Sequence, residues 1–292
     1  MKIALYGKTF NEGFRPYIRG LLKKLNEHKV QISVYKPFCE YICTETGNTE
    51  PFESLYNGPE DFDNSCELMV SIGGDGTFLE SIPYVLPFNI PVIGINSGRL
   101  GFLAYIGKDE ILKAFDAIFN RDFDIEQRSM ITFEGPDDPF DGLGYALNEI
   151  TLHKSESYMI NIDVFLNDEF LSTYWTDGLI ISTPTGSTAY SLSVGGPIVV
   201  PGSGNFIIAP IASHNLSVRP LIIPDSTLVT LKVKSRSGNF LVTADNRTII
   251  SQKDKTFILR KAGFHLKMLR LPDTSFYATI RNKLMWGVDK RN

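Results

Sequence analysis

The hydrophobic period of this sequence changes near residue 125, and that change restricts the folds open to the chain. Up to that point, short apolar runs such as Ile3–Tyr6 and Leu68–Ile72 alternate with segments of helical period such as Ile111–Ile118. Strands that alternate with helices pair in parallel, and the helices cover the faces of the sheet. The first part of the chain is therefore predicted to be an α/β domain.

Beyond residue 125 the dominant period is two. Ile160–Leu166, Val229–Lys234 and Phe264–Met268 alternate apolar with polar residues, and Asn167-Asp168 has the composition of a hairpin turn. These patterns predict half-buried antiparallel strands in a sandwich-like all-β domain. Helical spacing returns in Phe276–Leu284, which predicts a final helix.

The expected fold class is α/β plus all-β. We expect an α/β domain over residues 1–124, an antiparallel β-sandwich-like domain over residues 125–272, and a helix within residues 273–292 that packs back on the first domain. A length of 292 residues suits two domains. Such a chain can bury a sizeable core without disulfides or a metal.

The composition excludes several classes of protein. Apolar residues make up 43% and charged residues 21%, which excludes a disordered or fibrous chain. The net charge of −4 argues against a nucleic-acid-binding protein. The longest apolar stretch, Ile82–Ile95, contains three prolines and is shorter than the ~20 residues that span a bilayer. Because the three cysteines form no CxxC pair, we expect reduced thiols. Together these observations predict a cytoplasmic protein without a nucleic-acid or membrane partner.

The segment Gly73–Thr77 reads Gly-Gly-Asp-Gly-Thr and directly follows the Leu68–Ile72 strand. Glycines let the backbone turn tightly, and free N–H groups at the start of the next helix, expected from Phe78, favour phosphate oxygens. Asp75 is expected as an exposed turn carboxylate beside that anion, where it suits a base for a hydroxyl nucleophile or a ligand to a divalent ion. The alternative is a strand-to-helix turn in which Asp75 is only the helix N-cap.

A second polar loop, Asn96–Leu103, follows the Pro91–Ile95 strand. Because the carboxyl ends of parallel strands meet at one sheet edge, where ligands bind, we expect this loop beside Gly73–Thr77. The alternative is a glycine-rich turn that buries Phe102 in the core.

The pair Asn148 and Glu149 interrupts the otherwise apolar strand Ala146–Leu152. An amide and a carboxylate can hold a base edge or a ribose diol through neutral and charge-assisted hydrogen bonds. The alternative is two outward-facing residues on a half-exposed strand.

The longest biased segment is Asp177–Pro197, which places hydroxyls, glycines and small residues in one predicted strand, loop and helix. Thr188, Ser191 and Ser193 offer hydroxyls, and Tyr190 offers a stacking face. The alternative is a turn capped by Thr and Ser side chains.

Together these motifs resemble the bacterial NAD kinase (ATP-NAD kinase) family over nearly the whole chain. The segments follow the family's order: Gly73–Thr77, Asn96–Leu103, Asn148-Glu149, Asp177–Pro197, and Pro210–Ala212 leading to Arg219–Leu221. The resemblance implies a Rossmann-like N-terminal domain, a C-terminal β domain that binds NAD, and an active site between them. It also implies phosphorylation of the adenosine 2′-hydroxyl of NAD to give NADP, with ATP as donor, Mg²⁺ as divalent cation, and a homodimer or homotetramer.

The resemblance implies a role for each motif residue. Asp75 corresponds to the general base on the 2′-hydroxyl, and Gly76 approaches the NAD phosphates. Phe102 resembles an apolar contact to the adenine. Asn148 and Glu149 resemble the pair that holds the adenosine ribose and diphosphate region.

Further contacts to NAD follow from the same resemblance. Asp177 resembles a carboxylate that reaches the nicotinamide end from a neighbouring subunit, and Ala212 is an additional NAD contact. The wall beside the adenine, with Tyr190 and Ser193 nearest the base, comprises Thr188, Ala189, Tyr190, Ser191, Leu192 and Ser193.

One segment departs from the family pattern. Many relatives have Asp-Gly near the end of the β domain, often followed by Gln, whereas the aligned residues here are Asp245, Asn246 and Arg247. Asn tolerates positive φ, so the turn is expected to persist with Asn246 as a substrate contact. The departure leaves open whether Arg247 adds a phosphate contact and whether NAD or NADH is preferred.

Two other function classes share part of this pattern. A lipid or sugar kinase has Gly73–Thr77, as diacylglycerol, sphingosine and phosphofructo-kinases do, but has no need of Asn148-Glu149 or Thr183–Ser193. A non-catalytic nucleotide sensor has no need of the carboxylate at Asp75, which is present.

Overall fold

The computed structural model describes residues 1–47, 51–98, 101–135, 138–252, 254–272 and 274–287. The chain forms two compact units, one of Met1–Glu126 with Lys267–Asn292 and one of Gln127–Leu266. The prediction of an α/β part followed by an all-β part is confirmed.

The first unit is built on a parallel sheet with the strand order β5-β4-β1-β2-β3. Its strands are β1 (Lys2–Gly7), β2 (Gln31–Tyr35), β3 (Ser54–Tyr56), β4 (Leu68–Gly73) and β5 (Val92–Asn96). Its N-terminal helices are α1 (Arg15–Glu27), α2 (Lys36–Thr46), α3 (Asp75–Val85) and α4 (Ile111–Phe119).

Both faces of this sheet are buried, because helices pack on each of them. Leu5 of β1 lies in one core cluster with Ile18 of α1 and Phe115 of α4. Since successive side chains of a strand point to opposite faces, Tyr6 lies on the other face, where its ring packs 5.3 Å from that of Tyr84 in α3. This arrangement explains why the strands are continuous apolar runs without alternation.

The second unit contains two antiparallel sheets. Its elements are β6 (Asp124–Phe133), β7 (Tyr145–Ala146), β8 (Glu149–Lys154), β9 (Ile160–Leu166), β10 (Glu169–Thr176), β11 (Gly178–Ser182), α5 (Tyr190–Ser193), β12 (Asn205–Ile211), β13 (Leu221–Pro224), β14 (Val229–Ser235), β15 (Asn239–Ala244), β16 (Arg247–Gln252) and β17 (Lys255–Arg270). One sheet contains the order β10-β9-β14-β17, and the other has the order β13-β12-β11-β8-β15-β16.

The two sheets share a core, as a β-sandwich requires. Ile162 and Val164 of the first sheet lie in the same buried cluster as Leu152 and Ile181 of the second. The expected hairpin between β9 and β10 is present, with Asn167 and Asp168 both at positive φ as a two-residue turn demands. The alternating pattern of Ile160–Leu166 therefore predicted the inward face correctly.

The alternating interpretation of Phe264–Met268 is confirmed for Leu266 and Met268, which are buried, and is wrong for Phe264 and for the antiparallel pairing of Met268. Phe264 is 39% exposed, and Met268 pairs in parallel with Val92 of β5, so this end of β17 belongs to the first unit's sheet. Leu269 and Leu271 are buried in the first unit's core. The unit boundary accordingly lies at residue 266/267, six residues before the expected 272/273.

The C-terminal helix α6 (Phe276–Leu284) belongs to the first unit, as expected, and none of its residues is buried. Residues 273 and 288–292 of the predicted C-terminal segment lie outside the described residues. In the described part of the chain, every helix is too short or too polar to cross a bilayer.

Candidate active site

The Gly-Gly-Asp-Gly-Thr turn connects β4 directly to α3, and the helix begins at Asp75, three residues before the expected Phe78. The N-cap is Gly74, without a side-chain cap, so the interpretation of Asp75 as the cap is wrong. A Cβ on Gly73 would lie 2.4 Å from the Thr77 hydroxyl, so the turn requires glycine there. Space is open where a Cβ of Gly76 would project, which suits the close ligand approach predicted for that residue.

The Asp75 carboxylate organises the loop that follows β5. Oδ2 accepts a hydrogen bond of 2.9 Å from the Phe102 backbone N–H, and Oδ1 accepts bonds of 3.0 and 2.9 Å from the N–H groups of Leu103 and Ala104. A Cβ at Gly101 would lie 1.9 Å from Oδ1, so the loop closes on the carboxylate only because residue 101 is glycine. The description of Asp75 as an exposed turn residue is therefore wrong, since its side chain is 32% exposed and holds three backbone donors.

The loops after β4 and β5 meet at one sheet edge, as predicted. The Ser97 N–H donates to the Gly73 carbonyl at 3.2 Å, and the Asn96 side chain accepts from the Gly98 N–H at 2.7 Å. Arg99 and Leu100 of the predicted loop lie outside the described residues.

A lysine from the C-terminal helix completes this cluster, which we call the Asp75 cluster (Asp75, Phe102 and Lys283). Lys283 Nζ lies 3.6 Å from Asp75 Oδ2 and 4.3 Å from the centre of the Phe102 ring. Phe276 of the same helix lies 6.4 Å from the Phe102 ring. Phe102 is half-buried, so the alternative that buries it in the core is wrong.

In the second unit, Asn148 and Glu149 lie at a break between two strands, where one continuous strand was expected. β7 ends at Ala146 and β8 begins at Glu149. Asn148 is 7% exposed and Glu149 is 8% exposed, so the alternative of outward-facing residues is wrong.

Asp245 holds this break in place. Its carboxylate accepts hydrogen bonds from the backbone N–H groups of Leu147, Asn148 and Glu149 at 2.8, 2.8 and 3.2 Å. Burial raises the pKa of Asp245, while these three donors oppose the rise. Asp245 itself has a positive φ of 52°, in the turn between β15 and β16.

The other two residues of that turn have different surroundings. Asn246 is exposed. The Arg247 guanidinium donates to the carbonyls of Leu143 and Tyr145 and lies 4.7 Å from the centre of the Tyr145 ring. Two guanidinium nitrogens of Arg247 are thus engaged with backbone carbonyls of the fold.

Glu149 is a second buried acid whose pKa is raised. Burial, assisted by the charge of Asp245, raises the pKa of Glu149 to about 8, although its carboxylate accepts a hydrogen bond from the Tyr190 backbone N–H. Its Oε2 atom is buried and has no hydrogen-bond partner among the described residues. Since unpaired buried polar atoms are costly, Oε2 marks a position for a polar ligand group.

Many hydroxyls of Asp177–Pro197 bind backbone and so build the loop. Ser182 and Thr183 donate to the carbonyls of Asn148 and Leu147, and a Cβ on Gly186 would lie 2.1 Å from the Asn148 carbonyl oxygen. This segment therefore fits closely against the Asn148-Glu149 break.

The predicted adenine-side wall has both engaged and open groups. Thr188 and Ser193 donate to carbonyls within the same segment at 3.2 and 2.7 Å. Tyr190 is 41% exposed, and its ring is open to a stacking partner. Ser191 Oγ is buried and has no hydrogen-bond partner within the part of the chain that the structure describes. Ala189 and Leu192 are half-buried.

Asp177 lies apart from Glu149. In the pairing of β11 with β8, Ser182 lies opposite Glu149, which places Asp177 about 16 Å along the strand at ~3.3 Å per residue. Asp177 forms an ion pair of 2.7 Å with Lys154, and its backbone N–H donates to Ile211, next to Ala212. Ala212 has a positive φ of 47° and is exposed.

The structure thus distributes the predicted residues over three groups. Asp75, Gly76 and Phe102 are together in the first unit, Asn148 and Glu149 lie with the Thr188–Ser193 segment in the second, and Asp177 lies near Ala212. Sequence reasoning missed Lys283 and the backbone contacts of Asp245, the residue before Asn246. The sequence shows Asp245 next to Asn246, a residue type that tolerates positive φ. No signal in the sequence relates Asp245 to Leu147–Glu149.

Comparisons with known proteins identify the family of this chain. The model of the ATP-NAD kinase N-terminal domain matches residues 21–123, and that of the ATP-NAD kinase C-terminal domain matches residues 147–271. The chain is 41% identical to an NAD kinase of Christiangramia forsetii and 39% identical to one of Flavobacterium psychrophilum, with all of each chain covered.

Solved structures show the same fold. Yeast NADH kinase complexed with NADH aligns with a TM-score of 0.82 at 24% identity and covers 99% of this chain and 89% of its own. An NAD kinase from Archaeoglobus fulgidus in complex with ATP aligns with a TM-score of 0.74 at 21% identity, covering 98% and 99%. Given the matches to both domain models and the full-length relatives, the chain belongs to the NAD kinase family of phosphotransferases.

Proposed function

We propose that this enzyme transfers the γ-phosphoryl group of ATP to the adenosine 2′-hydroxyl of NAD, with Asp75 as general base. The observation that carries the proposal is the Asp75 carboxylate. It stands at the first turn of α3, where N–H groups favour phosphates, and three backbone donors fix its orientation. A carboxylate held in this way is preorganised to accept a proton from a hydroxyl nucleophile.

The proposed step transfers one proton and one phosphoryl group. The 2′ O–H bond breaks and its proton goes to Asp75 Oδ2, while the 2′ oxygen forms a bond to the γ-phosphorus. The bond from that phosphorus to the β–γ bridging oxygen breaks, and ADP leaves with the electron pair. Catalysis of such a transfer rests mainly on positioning and charge stabilisation.

The residues that the structure describes do not form a metal cage. Among the described residues, no group of three or more acidic, histidine or cysteine side chains is placed to hold a metal. Asp75 supplies one carboxylate, and three of its acceptor positions already hold N–H groups. Mg²⁺ commonly binds through substrate phosphates with one or two carboxylates, so we propose that it enters as MgATP.

Residues of the second unit are assigned to NAD binding. Asn148 and Glu149 hold the adenosine ribose and diphosphate region, and the unpartnered Oε2 of Glu149 supports that role. Tyr190, with its exposed ring, and the rest of the Thr188–Ser193 wall contact the adenine. Phe102 adds an apolar contact.

The remaining predicted contacts belong to the same proposal. Gly76 lies close to the NAD phosphates, and Ala212 and Asn246 contact the dinucleotide. Asp177, because it lies far along the strand from Glu149, is assigned to the nicotinamide end of NAD bound by a neighbouring subunit.

A homodimer or homotetramer is part of the proposal. Tyr158, Phe170, Trp175 and Leu216 are large apolar side chains of the second unit that are exposed in the single chain. Light scattering coupled to size exclusion measures the assembly directly, and a monomer at assay concentration contradicts this assignment. We also propose a cytoplasmic location, where the free thiols of Cys39, Cys43 and Cys66 stay reduced.

One assay separates the proposed function from its alternatives. The purified protein is supplied with ATP, Mg²⁺ and, in separate reactions, NAD, NADH, diacylglycerol or fructose 6-phosphate, and product is measured by chromatography. We expect NADP from NAD and its abolition by EDTA; NADH is included because the yeast structure is that of an NADH kinase. Phosphorylation of the lipid or the sugar instead, or no product with any acceptor, rejects the proposal.

A further inference from the structure

The C-terminal helix α6 carries Lys283 to the Asp75 carboxylate, and this contact has no part in the proposed chemistry so far. Lys283 Nζ lies 3.6 Å from Asp75 Oδ2, and the two side chains are about one-third exposed, at 31% and 32%. The same ammonium lies 4.3 Å from the centre of the Phe102 ring. One cation therefore contacts two residues to which the proposed function assigns separate tasks.

Asp75 Oδ2 has room for one more hydrogen bond. A carboxylate has about four lone-pair positions, and the N–H groups of Phe102, Leu103 and Ala104 take three of them. The fourth, on Oδ2, faces Lys283 at a distance longer than a hydrogen bond. This position can therefore accept a hydroxyl, while the ammonium remains near enough to stabilise negative charge on the oxygen.

The surroundings of α6 argue against a purely structural role for Lys283. No residue of α6 is buried, so the helix adds little to the core. Two residues of α6 approach Asp75 and Phe102: Lys283, and Phe276, whose ring lies 6.4 Å from the Phe102 ring. An exposed ion pair contributes at most about 1 kcal/mol to stability, so anchoring the helix is a weak reason for this lysine.

We propose that Lys283 is a positioning residue for the transfer step: it holds Asp75 Oδ2 in the arrangement that receives the ribose hydroxyl. The proposal rests on the proposed function, because it acts through Asp75. It predicts that removal of the ammonium affects turnover more than the affinity for either substrate, since Lys283 orients the base.

The test uses three variants of the full-length chain. Lys283→Met keeps an unbranched side chain but removes the charge, Lys283→Arg keeps the charge, and Arg281→Met removes a cation from an exposed position of the same helix. We expect kcat to fall about tenfold in Lys283→Met, with KM for NAD and for ATP within about threefold of wild type. Lys283→Arg should recover most of kcat, and Arg281→Met should match the wild-type chain.

Four results overturn the inference. An unchanged kcat in Lys283→Met shows that the ammonium has no role in turnover. Equal losses in Lys283→Met and Lys283→Arg, or a loss of kcat that follows a fall in melting temperature, show that the side chain only supports the fold. A wild-type chain that makes no NADP rejects the proposed function and this inference together, whereas an active wild type with an unaffected Lys283→Met rejects this inference alone.

Discussion

Asp75→Asn tests the base catalysis proposed for Asp75 together with the loop contacts that the same carboxylate makes. The amide has nearly the same size, but it removes the negative charge and replaces one acceptor oxygen with an NH₂ donor. The three N–H groups of Phe102, Leu103 and Ala104 then have one oxygen in place of two, so at least one of them faces a donor. The substitution therefore changes both the chemistry and the loop.

The two effects have different magnitudes. Loss of a general base typically lowers kcat by ~10²–10⁴-fold, and a hundredfold loss corresponds to about 2.7 kcal/mol at 1.36 kcal/mol per decade. An unpaired backbone donor costs about 1–3 kcal/mol, and the 32% exposure of the Asp75 side chain favours the lower end because water can reach it. For a unit of this size, about 1 kcal/mol lowers the melting temperature by roughly 2–4 °C.

Asp138→Asn is the matched control. Asp138 also accepts three backbone hydrogen bonds, from Phe140, Gly142 and Gly144 at 2.8, 2.9 and 3.0 Å, and it holds a loop outside the predicted site. We expect a similar fall in melting temperature, with kcat within about threefold of wild type. Comparing the two variants therefore separates the fall in kcat caused by loss of the base from any effect of weakened loop hydrogen bonds.

The measurements are kcat at saturating NAD and MgATP, a thermal melt, and NAD binding by calorimetry on the same preparations. Asp75→Asn should bind NAD and lose at least ~10²-fold in kcat. Retention of more than about a tenth of wild-type kcat refutes base catalysis by Asp75 and leaves positioning as the main source of rate. An equal loss of kcat in Asp138→Asn would refute the separation of the two effects.

Three further predictions concern the second unit. Because the pKa of Glu149 is raised from 4.5 to about 8, the folded state retains a proton that the unfolded state loses, so the free energy of unfolding should fall as pH rises from about 4.5 to 8. Glu149→Gln should remove this pH dependence. Parallel curves of melting temperature against pH for the variant and the wild type would contradict the prediction. Tyr190→Ala and Asn148→Ala should raise KM for NAD more than they lower kcat, because the adenosine half is bound alike in ground and transition states; steady-state kinetics showing a fall in kcat at constant KM would point to positioning of the nucleophile instead. Asp245→Asn should lower the melting temperature and raise KM for NAD, since it takes an acceptor from the Asn148-Glu149 break, and a stable variant with unchanged KM disproves that link.

Local pattern was sufficient for much of the fold. The period of burial reports which faces of an element meet the core, so the runs at β1 and β4 and the alternation at β9 predicted a covered parallel sheet and a sandwich. The polar loops after β4 and β5 were placed together because parallel strands end at the same edge.

Contacts between distant residues were beyond that reasoning. Nothing local distinguishes Lys283 from its neighbours in α6, and its partner is fixed only by how the helix packs. Asp245 binds backbone N–H groups, which every residue possesses, so the sequence contains no matching partner to find. Phe264 alternates with polar residues as an inward residue does, yet β17 changes its neighbours along its length and leaves that ring exposed.

The three backbone N–H groups that donate to Asp75 couple the proposed base to the loop after β5. On the proposed mechanism, proton transfer converts a charged acceptor into a neutral one, and hydrogen bonds to a neutral acceptor are roughly half as strong as those to a charged one. The three hydrogen bonds between Asp75 and the Phe102 loop are therefore weaker once the phosphoryl group has been transferred. Amide exchange at Phe102, Leu103 and Ala104 should accordingly be faster when Asp75 is neutral than when it is charged.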